Sequence, residues 1–474
     1  MKKIVSSLLL IMLIVGTFLN AKAEIRLPAI MSSHMVLQQN SEVNIWGWCG
    51  PGEKIKLTTG WDTVVYNTKG SSGAKWNLTI KTPAAGGPYT LTINGNNRII
   101  LEDILIGEVW VCSGQSNMEM HYKKGLEEYT ADVANAVNKN IRFFHIPNLT
   151  ADCPQDDTKG NWVVCNSDDM KQFSLAGYFF GEKLQEALSF PVGLIESSWG
   201  GTAAEVWTAK DSIEMNPVLK KAADHHTPNP AWPIKPAATF NVMIYPITGF
   251  NIAGVIWYQG EGNVGAPAYH TLFATMIASW RKAWHKDFPF YFVQIAPYAG
   301  YGNNNISGAL LREAQTKTLS SPNTGMIVIH DLVTDITNVH PQNKKDVGYR
   351  LANLALSETY GKKGLVYKTP IYKNMQIKKG KIIISFTNAE NGIMSKGDTI
   401  KEFYIAGVDK VFVPAIAKIE GNTVVVWNKN VKNPLAIRFG FTNAGIPNLF
   451  SKEGMPVNIF RTDDWDHTNT IVNK

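Results

Sequence analysis

Short runs in which hydrophobic and polar residues alternate dominate residues 24–104. Three of these runs are 42–48, 54–58 and 89–93, and Gly-Pro, Gly-Gly and Asn-Gly turns separate such runs. Alternation with a period of two, interrupted by turn residues, is typical of strands that have one buried face. The pattern therefore predicts an all-β module, a small sandwich, over residues 24–104.

The pattern changes over residues 105–360, where apolar runs alternate with amphipathic segments of helical period. The apolar runs are 192–195, 252–257, 290–295 and 326–330, and the amphipathic segments are 174–187, 268–284 and 346–359. Alternating strands and helices predict an α/β domain whose mainly parallel sheet is covered on both faces. The period of two returns after Gly361, which predicts a C-terminal β-rich region over residues 361–474.

A charged and then apolar segment opens the sequence. Lys2 and Lys3 precede an apolar stretch at 4–19, and Ala21 and Ala23 are small residues of the kind that a signal peptidase reads. The stretch is shorter than the roughly 20 residues of a membrane-spanning helix. Residues 1–23 are therefore predicted to be a signal peptide. The mature protein is expected to be exported, periplasmic or extracellular, with no stable membrane span.

Charge and cysteine content narrow the set of partners. The formal net charge is +7, which is small for 474 residues, and no basic block is present, so nucleic acid is not an expected partner. The four cysteines form no pair or Cys/His cluster with metal-ligand spacing, and no metal site or cofactor is predicted. Cys153 and Cys165 either form a disulfide or stay reduced, whereas Cys49 and Cys112 are expected to be buried apolar residues.

Four loops that follow the predicted central strands carry unusual polar residues. Ligands of an open parallel sheet bind where the strands end, so these loops are the place to look for a site. The loops are 113–119, 197–202, 258–263 and the segment that ends in His340-Pro341. Ser116 follows a strand-like run on a turn of small and amide residues, which suits a nucleophile. The alternative is a polar turn in which Ser113 or Ser116 caps a helix.

Together these loops supply the parts that ester hydrolysis needs. Ser116 is the candidate nucleophile, and His340 is the base that takes its proton. A glycine at position 200 or 201 lets a backbone N–H approach the substrate, and the amide of Gln259 or Asn263 can add a donor to an oxyanion hole. Each feature also has an ordinary structural explanation. Their combination in this order favours the catalytic interpretation.

The same residues resemble the SGNH (GDSL-type) esterases, and within them the sialate O-acetylesterase branch of carbohydrate-degrading bacteria. The resemblance covers nearly the whole mature chain and includes both ends, at 34–38 and 460–463. Four ordered blocks carry it: Gly-Gln-Ser-Asn-Met at 114–118, Gly-Gly-Thr at 200–202 leading to Trp207, Trp-Tyr-Gln-Gly-Glu at 257–261, and His-Pro-x-Asn-Lys at 340–344 followed by Gly-x-Arg-Leu at 348–351. It implies an SGNH-type three-layer hydrolase domain over residues 105–360, flanked by all-β modules.

The resemblance also implies roles for single residues. Ser116 and His340 correspond to the nucleophile and the general base. The backbone N–H groups of Ser116 and Gly201, together with the amide of Gln259, correspond to the oxyanion hole.

One position departs from the family pattern, which places an orienting aspartate three residues before the histidine. That position is Thr337 here. Asp335 is the preferred candidate for the orienting acid. Asp331, Glu261 or a backbone carbonyl in a Ser-His dyad remain alternatives.

Aromatic residues in and beside the loops suit a sugar substrate, because flat rings stack on sugar faces. Trp207 and Tyr258 are the predicted substrate wall, whereas Trp110 and Trp257 are expected to belong to the core. The predicted substrate-binding residues, all in or beside the site loops, are Gln115, Asn117, Glu261, Asn263, Trp207 and Tyr258.

The predicted function is that of a carbohydrate O-acetylesterase, which hydrolyses acetyl esters on sugar hydroxyls with a serine nucleophile. The resemblance favours O-acetylated sialic acid, and acetylated xylan or another plant polysaccharide fits the residues equally well. A non-catalytic carbohydrate-binding protein is the alternative of another class. A thioesterase or lipase is a further alternative, and a peptidase is more remote. The oligomeric state is left open.

Overall fold

The computed structural model of the chain describes residues 23–224, 226–302 and 305–465. Apart from Ala23, the predicted signal peptide lies outside these residues. The strands are β1 (Val36–Gln38), β2 (Glu42–Trp48), β3 (Lys54–Thr59), β4 (Val65–Lys69), β5 (Lys75–Lys81), β6 (Gly86–Asn94), β7 (Arg98–Gly114), β8 (Asn138–His145), β9 (Trp162–Cys165), β10 (Val192–Ser198), β11 (Gly254–Tyr258), β12 (Phe290–Val293), β13 (Thr324–Ile327), β14 (Ile371–Lys378), β15 (Lys381–Thr387), β16 (Ile393–Ser395), β17 (Phe403–Ala406), β18 (Val413–Pro414), β19 (Ile416–Glu420), β20 (Thr423–Trp427), β21 (Ala436–Phe439), β22 (Leu449–Ser451) and β23 (Phe460–Arg461). The α-helices are α1 (Ser116–Glu119), α2 (Thr130–Ala134), α3 (Ser167–Met170), α4 (Leu175–Leu188), α5 (Lys210–Glu214), α6 (Pro217–Ala223), α7 (Tyr269–Trp284), α8 (Ser307–Lys317) and α9 (Lys344–Glu358).

One sheet organises the middle of the chain, with the strand order β13-β12-β11-β7-β10-β8-β9. All neighbours from β13 to β8 are parallel, and β9 is antiparallel to β8. Successive residues of β7 face opposite sides, so Val109 and Val111 pack on one face and Trp110 and Cys112 on the other. Helices α7 and α8 cover the first face, and α4 and α9 cover the second. The middle of the chain is therefore a three-layer α/β domain.

The N-terminal β structure is continuous with this domain through β7 (Arg98–Gly114). The first part of β7 pairs with β1 and β6, and its last part pairs with β10 and β11. The apolar side chains of the N-terminal module belong to the same core cluster as one face of the central sheet. The predicted boundary between residues 104 and 105 falls inside β7, and the division into domains stays a prediction.

The C-terminal β structure has a hydrophobic core of its own, which includes Ile382, Val424 and Ile437. Its strands form three sheets, with the orders β14-β15-β20-β19, β16-β22 and β18-β17-β21-β23. The Arg461 guanidinium binds the Glu313 carboxylate of α8 through N–O contacts of 2.8 and 2.9 Å. This ion pair anchors the C-terminal region to the central domain.

The three predicted helices, 174–187, 268–284 and 346–359, lie within two residues of α4, α7 and α9, whereas α8 (Ser307–Lys317) was not predicted. Helix α9 begins at Lys344, two residues before the predicted start, because the Asn343 side chain caps it by accepting the Asp346 N–H at 3.0 Å. No helix in the described ranges is long and apolar enough to cross a membrane.

All four cysteines are free. Cys153 is exposed, whereas the buried Cys165 has its thiol 3.6 Å from the carbonyl of Ala136, so the disulfide alternative is not realised in this structure. Cys49 and Cys112 are buried, as expected.

Candidate active site

Ser116 is the first residue of α1 (Ser116–Glu119), the short helix that follows the end of β7. Gly114 has a φ of +140°, and a Cβ there would lie 2.2 Å from the Tyr258 carbonyl oxygen. Only glycine allows the turn to pass this close to the neighbouring strand. The Gln115 N–H donates to the same carbonyl at 3.0 Å, which fixes the turn. As the first helical residue, Ser116 directs its N–H away from any intrahelical acceptor.

His340 lies on the loop that precedes α9 (Lys344–Glu358). Its Nε2 is 2.9 Å from the Oγ of Ser116, although 224 positions separate the two residues in the chain. The backbone N–H of His340 donates to the Asn338 Oδ1 at 2.9 Å, which holds the loop. Burial lowers the pKa of His340, and the positive charge of Lys344 lowers it further. The imidazole is therefore neutral near pH 7 and can accept the Ser116 proton.

In the described part of the chain, no carboxylate forms a hydrogen bond with the His340 ring. Asp335 is exposed, and its Oδ1 accepts hydrogen bonds from the N–H and the hydroxyl of Thr337, at 2.8 and 2.7 Å. Asp331 forms a two-bond ion pair with Arg350, at 2.7 and 2.6 Å. The structure does not bring Asp335 to the histidine, and the hydrogen-bonded pair of Ser116 and His340 is called the dyad below.

A buried polar network centred on Asn117 lies beside the dyad. The Asn117 Nδ2 donates to the Glu261 Oε1 at 2.6 Å and to the Val339 carbonyl at 3.1 Å. Its Oδ1 accepts a hydrogen bond of 2.6 Å from the Nζ of Lys344, whose side chain is fully buried. Burial raises the pKa of Glu261 and lowers that of Lys344 to about 7. Asn117 thus ties the nucleophile helix to the residue that precedes His340.

The two glycines at positions 200 and 201 differ in whether their backbone N–H groups are already hydrogen-bonded. The Gly200 N–H donates to the Glu119 Oε2 at 2.9 Å and is already used. Gly201 has a φ of +79°, and a Cβ there would lie 2.3 Å from the ring of Trp232, so the position requires glycine. Among the described residues, the Gly201 N–H has no acceptor. Of the two glycines, Gly201 is thus the one with a free donor, and its neighbour Gly200 lies against Ser116, where a Cβ would be 3.3 Å from the Ser116 Cβ.

Comparison with known proteins identifies the family. A family model described as "Carbohydrate esterase, sialic acid-specific acetylesterase" matches residues 106–357. The chain belongs to this family. The match spans the central parallel sheet and all four sequence blocks around the dyad.

Similar proteins agree with this assignment to the acetylesterase family. The sialate O-acetylesterase of Homo sapiens is 28% identical over an alignment of 412 residues that covers 79% of this chain and 78% of that protein. The sialate O-acetylesterase of Rattus norvegicus is 28% identical over 434 residues, covering 78% and 80%. A carbohydrate acetylesterase from Xanthomonas citri has a solved structure that matches with a TM-score of 0.85 and 34% identity, over 93% of this chain and 100% of that one.

These matches confirm three predictions made from the sequence. The chain belongs to the predicted family, and its SGNH-type α/β domain with flanking β structure is the predicted fold class. As a member of this acetylesterase family it is a carboxylic ester hydrolase that acts on carbohydrate acetyl esters.

The sequence predicted the amide of Gln259 in the oxyanion hole of this acetylesterase, and its contacts show where that amide lies. The side chain is fully buried, and its Nε2 donates to the Asn263 Oδ1 at 2.8 Å and to the Thr202 carbonyl at 3.2 Å. Its Oε1 accepts a hydrogen bond of 2.9 Å from the Tyr269 hydroxyl. Both ends of the amide are hydrogen-bonded within the protein, so Gln259 connects the loops behind the site.

The predicted substrate-binding residues are engaged within the protein in this structure. Trp207 and Tyr258, predicted as the substrate wall, are both fully buried. The Gln115 Oε1 accepts the Gly262 N–H at 3.0 Å, and Asn263 donates to Glu205 at 2.8 Å. Tight loops at the strand ends have many backbone groups without ladder partners, and buried side chains satisfy them. The residues whose polar or aromatic groups are directed inward are Gln115, Asn117, Glu261, Asn263, Trp207 and Tyr258. Trp110 and Trp257 are core residues, as expected.

Two residues that the sequence interpretation missed lie next to the dyad loops. Trp232 packs against Gly201 and lines a cavity of about 330 Å³. Glu119 lies one helical turn after Ser116 and lines a second cavity, of about 440 Å³, together with His145. The three-residue spacing between Ser116 and Glu119 was the available signal for the second residue. Trp232 lies in a proline-rich stretch without periodicity, which gave no signal.

Replacing Lys344 by methionine is expected to move the acid limb of the pH profile of kcat/KM to higher pH. The Lys344 cation opposes protonation of His340, so its removal raises the pKa of the histidine. A general base works only when neutral, and activity then appears at higher pH. Hydrolysis of an aryl acetate across acid and neutral pH measures the shift.

Lys345→Met is the matched control for this variant. The Lys345 Nζ binds Asp132 at 2.7 Å and is not among the charges that shift the pKa of His340. Its pH profile is expected to match that of the wild type. An unchanged profile in Lys344→Met, or a shift to lower pH, would contradict the assigned influence of Lys344.

Proposed function

We propose that the chain hydrolyses acetyl esters of sugars with Ser116 as nucleophile and His340 as general base. The observation that carries this proposal is the 2.9 Å contact between the Ser116 Oγ and the His340 Nε2. A nucleophile and a base within hydrogen-bond reach, at the ends of strands in a parallel sheet, have the geometry of an acyl-transfer site.

The geometry supports a two-step mechanism. The Ser116 Oγ attacks the acetyl carbonyl while the His340 Nε2 takes its proton, and the N–H groups of Ser116 and Gly201 donate to the developing oxyanion. Collapse of the tetrahedral intermediate breaks the ester bond, and the departing sugar oxygen takes the proton from His340 and becomes a hydroxyl. Water, deprotonated by the same histidine, then attacks the acetyl-serine; the acyl–oxygen bond breaks, the Ser116 Oγ takes the proton back from His340, and acetate is released.

We infer that this mechanism needs no acid partner for His340. The loop is held instead by two hydrogen bonds, one that the His340 N–H donates to the Asn338 Oδ1 at 2.9 Å and one that the Asn117 Nδ2 donates to the Val339 carbonyl at 3.1 Å. These contacts position the histidine without a carboxylate.

Asp335→Asn is therefore expected to change kcat/KM for an aryl acetate by less than about threefold, because among the described residues the carboxylate hydrogen-bonds to Thr337 alone. Where an acid does belong to a triad, its removal still costs several orders of magnitude, roughly 10⁴. Steady-state kinetics of the purified variant beside Ser116→Ala makes the comparison. Near-total losses in both variants would contradict the dyad and give Asp335 a catalytic role.

The substrate we favour is O-acetylated sialic acid, because the family description and the named mammalian relatives specify this sugar. The cavity beside α1 offers polar partners for a sugar, among them Glu119, His145 and Asn148. Burial lowers the pKa of His145, but the Glu196 carboxylate bonded to its ring outweighs burial and raises that pKa. His145 is therefore paired with Glu196 beside this cavity.

Acetate release from a panel of substrates tests this proposal. The panel holds O-acetylated sialic acid, acetylated xylan and an aryl acetate, and Ser116→Ala serves as the blank. The highest kcat/KM is expected on the sialic acid ester. Faster release of acetate from acetylated xylan would contradict sialic acid as the substrate and indicate a neutral polysaccharide. Release that survives Ser116→Ala would show that the nucleophile is wrong.

We also propose that the protein is exported after removal of residues 1–23, on the strength of the charged and apolar pattern at its start. Mass spectrometry of the protein recovered outside the cytoplasm is expected to find Glu24 at the N-terminus. An intact Met1 would contradict the proposal.

A further inference from the structure

A cavity of about 420 Å³ lies between the N-terminal β module and the central domain, and no active-site residue lines it. Strands β2 and β5 form its module side, and residues 155–156 and 245–249 form the other side. The side chains that the argument uses are Asn44, Trp46, Trp48, Asn77 and Tyr245, together with the pair Lys75 and Asp156.

Trp46 and Trp48 lie on the same face of β2, one on each side of Gly47. Two residues of a strand span roughly 7 Å, so the rings lie side by side along the cavity. Both rings are only partly buried, and the side chain of Tyr245 on the opposite wall is 41% exposed. Exposed aromatic rings in a row present the flat apolar faces on which the C–H face of a sugar ring stacks.

Amide side chains border these rings. Asn77 is paired directly with Trp46 across the β2–β5 ladder, and Asn44 lies two residues before Trp46 on the same face. Both asparagines are exposed. An amide offers both donors and an acceptor, which matches the mixed donor and acceptor character of sugar hydroxyls. The cavity therefore combines apolar ring faces with hydrogen-bonding groups at their edge.

Charge decides which sugars fit this cavity. The ionisable side chains that line it are Lys75 and Asp156, and they form an ion pair with an N–O distance of 2.6 Å. The lining thus has no net charge. Arg26, with its guanidinium 5.7 Å from the centre of the Trp48 ring, is not among the lining residues. A neutral sugar needs no charged partner in the cavity. An anionic sugar would need a cation there, and the lining has none that is unpaired.

Packing between the N-terminal module and the central domain is the simpler explanation of these aromatic residues, and it accounts for Trp46. A Cβ at Gly249 would lie 3.3 Å from the Trp46 ring, so this ring packs closely on the central domain. If packing were the whole role of these rings, they would be fully buried, as are the core residues Trp110, Trp207 and Trp257. The partly buried ring of Trp48 and the exposed ring of Tyr245 line an open cavity instead.

We propose that this cavity, which we name the inter-module cleft, is a second carbohydrate site that binds neutral sugar units of an oligosaccharide. The part of the inference that connects binding to deacetylation rests on the proposed function. The cleft would bind a part of the glycan that is distant from the reacting ester. This extra binding would make the enzyme more effective on long substrates than on small ones.

The test uses the full chain and two readouts. Isothermal titration measures binding of unacetylated neutral oligosaccharides, from xylan, mannan and glucan, to the wild type, Trp48→Ala, Trp48→Phe and Asn77→Ala. Kinetics on the acetylated forms of these glycans and on an aryl acetate gives KM and kcat. Trp427→Ala is the matched control, because Trp427 is a half-buried strand residue of the C-terminal region.

The wild type is expected to bind at least one neutral oligosaccharide. Trp48→Ala is expected to weaken binding and raise KM for the acetylated glycan by roughly twofold to tenfold, the range of a lost aromatic contact. Trp48→Phe should recover most of the affinity, and Trp427→Ala and the aryl acetate reaction should be unchanged. Thermal melting of each variant identifies a folding defect. If Trp48→Ala is defective, the binding and KM of Asn77→Ala decide the test instead.

Two results would overturn the inter-module cleft as a sugar site. One is the absence of binding to every neutral oligosaccharide, and the other is binding that Trp48→Ala and Asn77→Ala both leave intact. Binding confined to sialylated oligosaccharides would overturn the inference of a neutral ligand. If the wild type binds neutral glycans but releases no acetate from any substrate, the proposed function fails while the binding site stands.

Discussion

Alanine at position 116 is expected to lower kcat/KM for acetyl esters by roughly 10⁴ to 10⁶, and His340→Ala is expected to do the same. The physical reason is that the two side chains form one unit through the 2.9 Å contact between Oγ and Nε2. Without the hydroxyl no acetyl-serine forms. Without the imidazole the hydroxyl keeps its proton and is a weak nucleophile. The double variant should therefore be no worse than either single variant.

Ser113→Ala is the matched control for these variants. Ser113 lies on the same strand end, is fully buried, and donates its hydroxyl proton to the Ser197 carbonyl. Its replacement removes one structural hydrogen bond and should leave most of the activity. Stopped-flow or steady-state release of an aryl alcohol, with intact mass after a quench to detect acetyl-serine, provides the measurement. Losses in the double variant that equal the product of the single losses would contradict a shared catalytic unit.

Asp463→Ala is expected to lower the free energy of unfolding by about 3 to 5 kcal/mol, the cost of leaving a buried charge without its partner. The Asp463 carboxylate accepts two hydrogen bonds from the Arg438 guanidinium, at 2.9 and 2.7 Å, and both side chains are fully buried. The guanidinium also lies 4.1 Å from the centre of the Phe412 ring, so it cannot turn toward solvent without disturbing the C-terminal core. Urea unfolding followed by tryptophan fluorescence measures the loss.

Asp152→Ala controls for the removal of any ion pair. Asp152 pairs with Lys235 at 2.5 Å, but both side chains are well exposed. Exposed pairs contribute about 0 to 1 kcal/mol, since water screens them, so this variant should be close to the wild type. Equal losses in Asp463→Ala and Asp152→Ala would contradict the argument from burial. The double variant Arg438→Met/Asp463→Ala should recover part of the stability, because no unpaired charge remains.

The secondary structure was predictable because it follows from local periodicity. The run at 42–48 and the strand β2 coincide, and the segment predicted at 268–284 differs from α7 (Tyr269–Trp284) by one residue. The covered parallel sheet followed from the alternation of buried strands with amphipathic helices. The same sheet geometry places the loops of Ser116 and His340 at one edge, which explains why the pair was foreseen.

The partners of the surrounding side chains were not predictable in the same way. Asp335 lies on the expected loop, yet its carboxylate binds Thr337, two positions further along. Gln259 is in the expected motif, yet both ends of its amide are used behind the site. A motif shows which residue types lie at a strand end. It does not show which of them face the substrate and which satisfy buried backbone groups.

The sequence by itself determined the alternation of buried strands with amphipathic helices in the central domain, the sheet edge that carries the chemistry, and the nucleophile and base as candidates. These features depend on hydrophobic period and on residue types within single loops. Only the tertiary structure decided that Ser116 meets His340 without a carboxylate partner, that Lys344 reaches Asn117, and that Trp48 borders an open cleft. Such contacts join residues from distant parts of the chain. Their geometry is set by how whole elements pack, which no local pattern records.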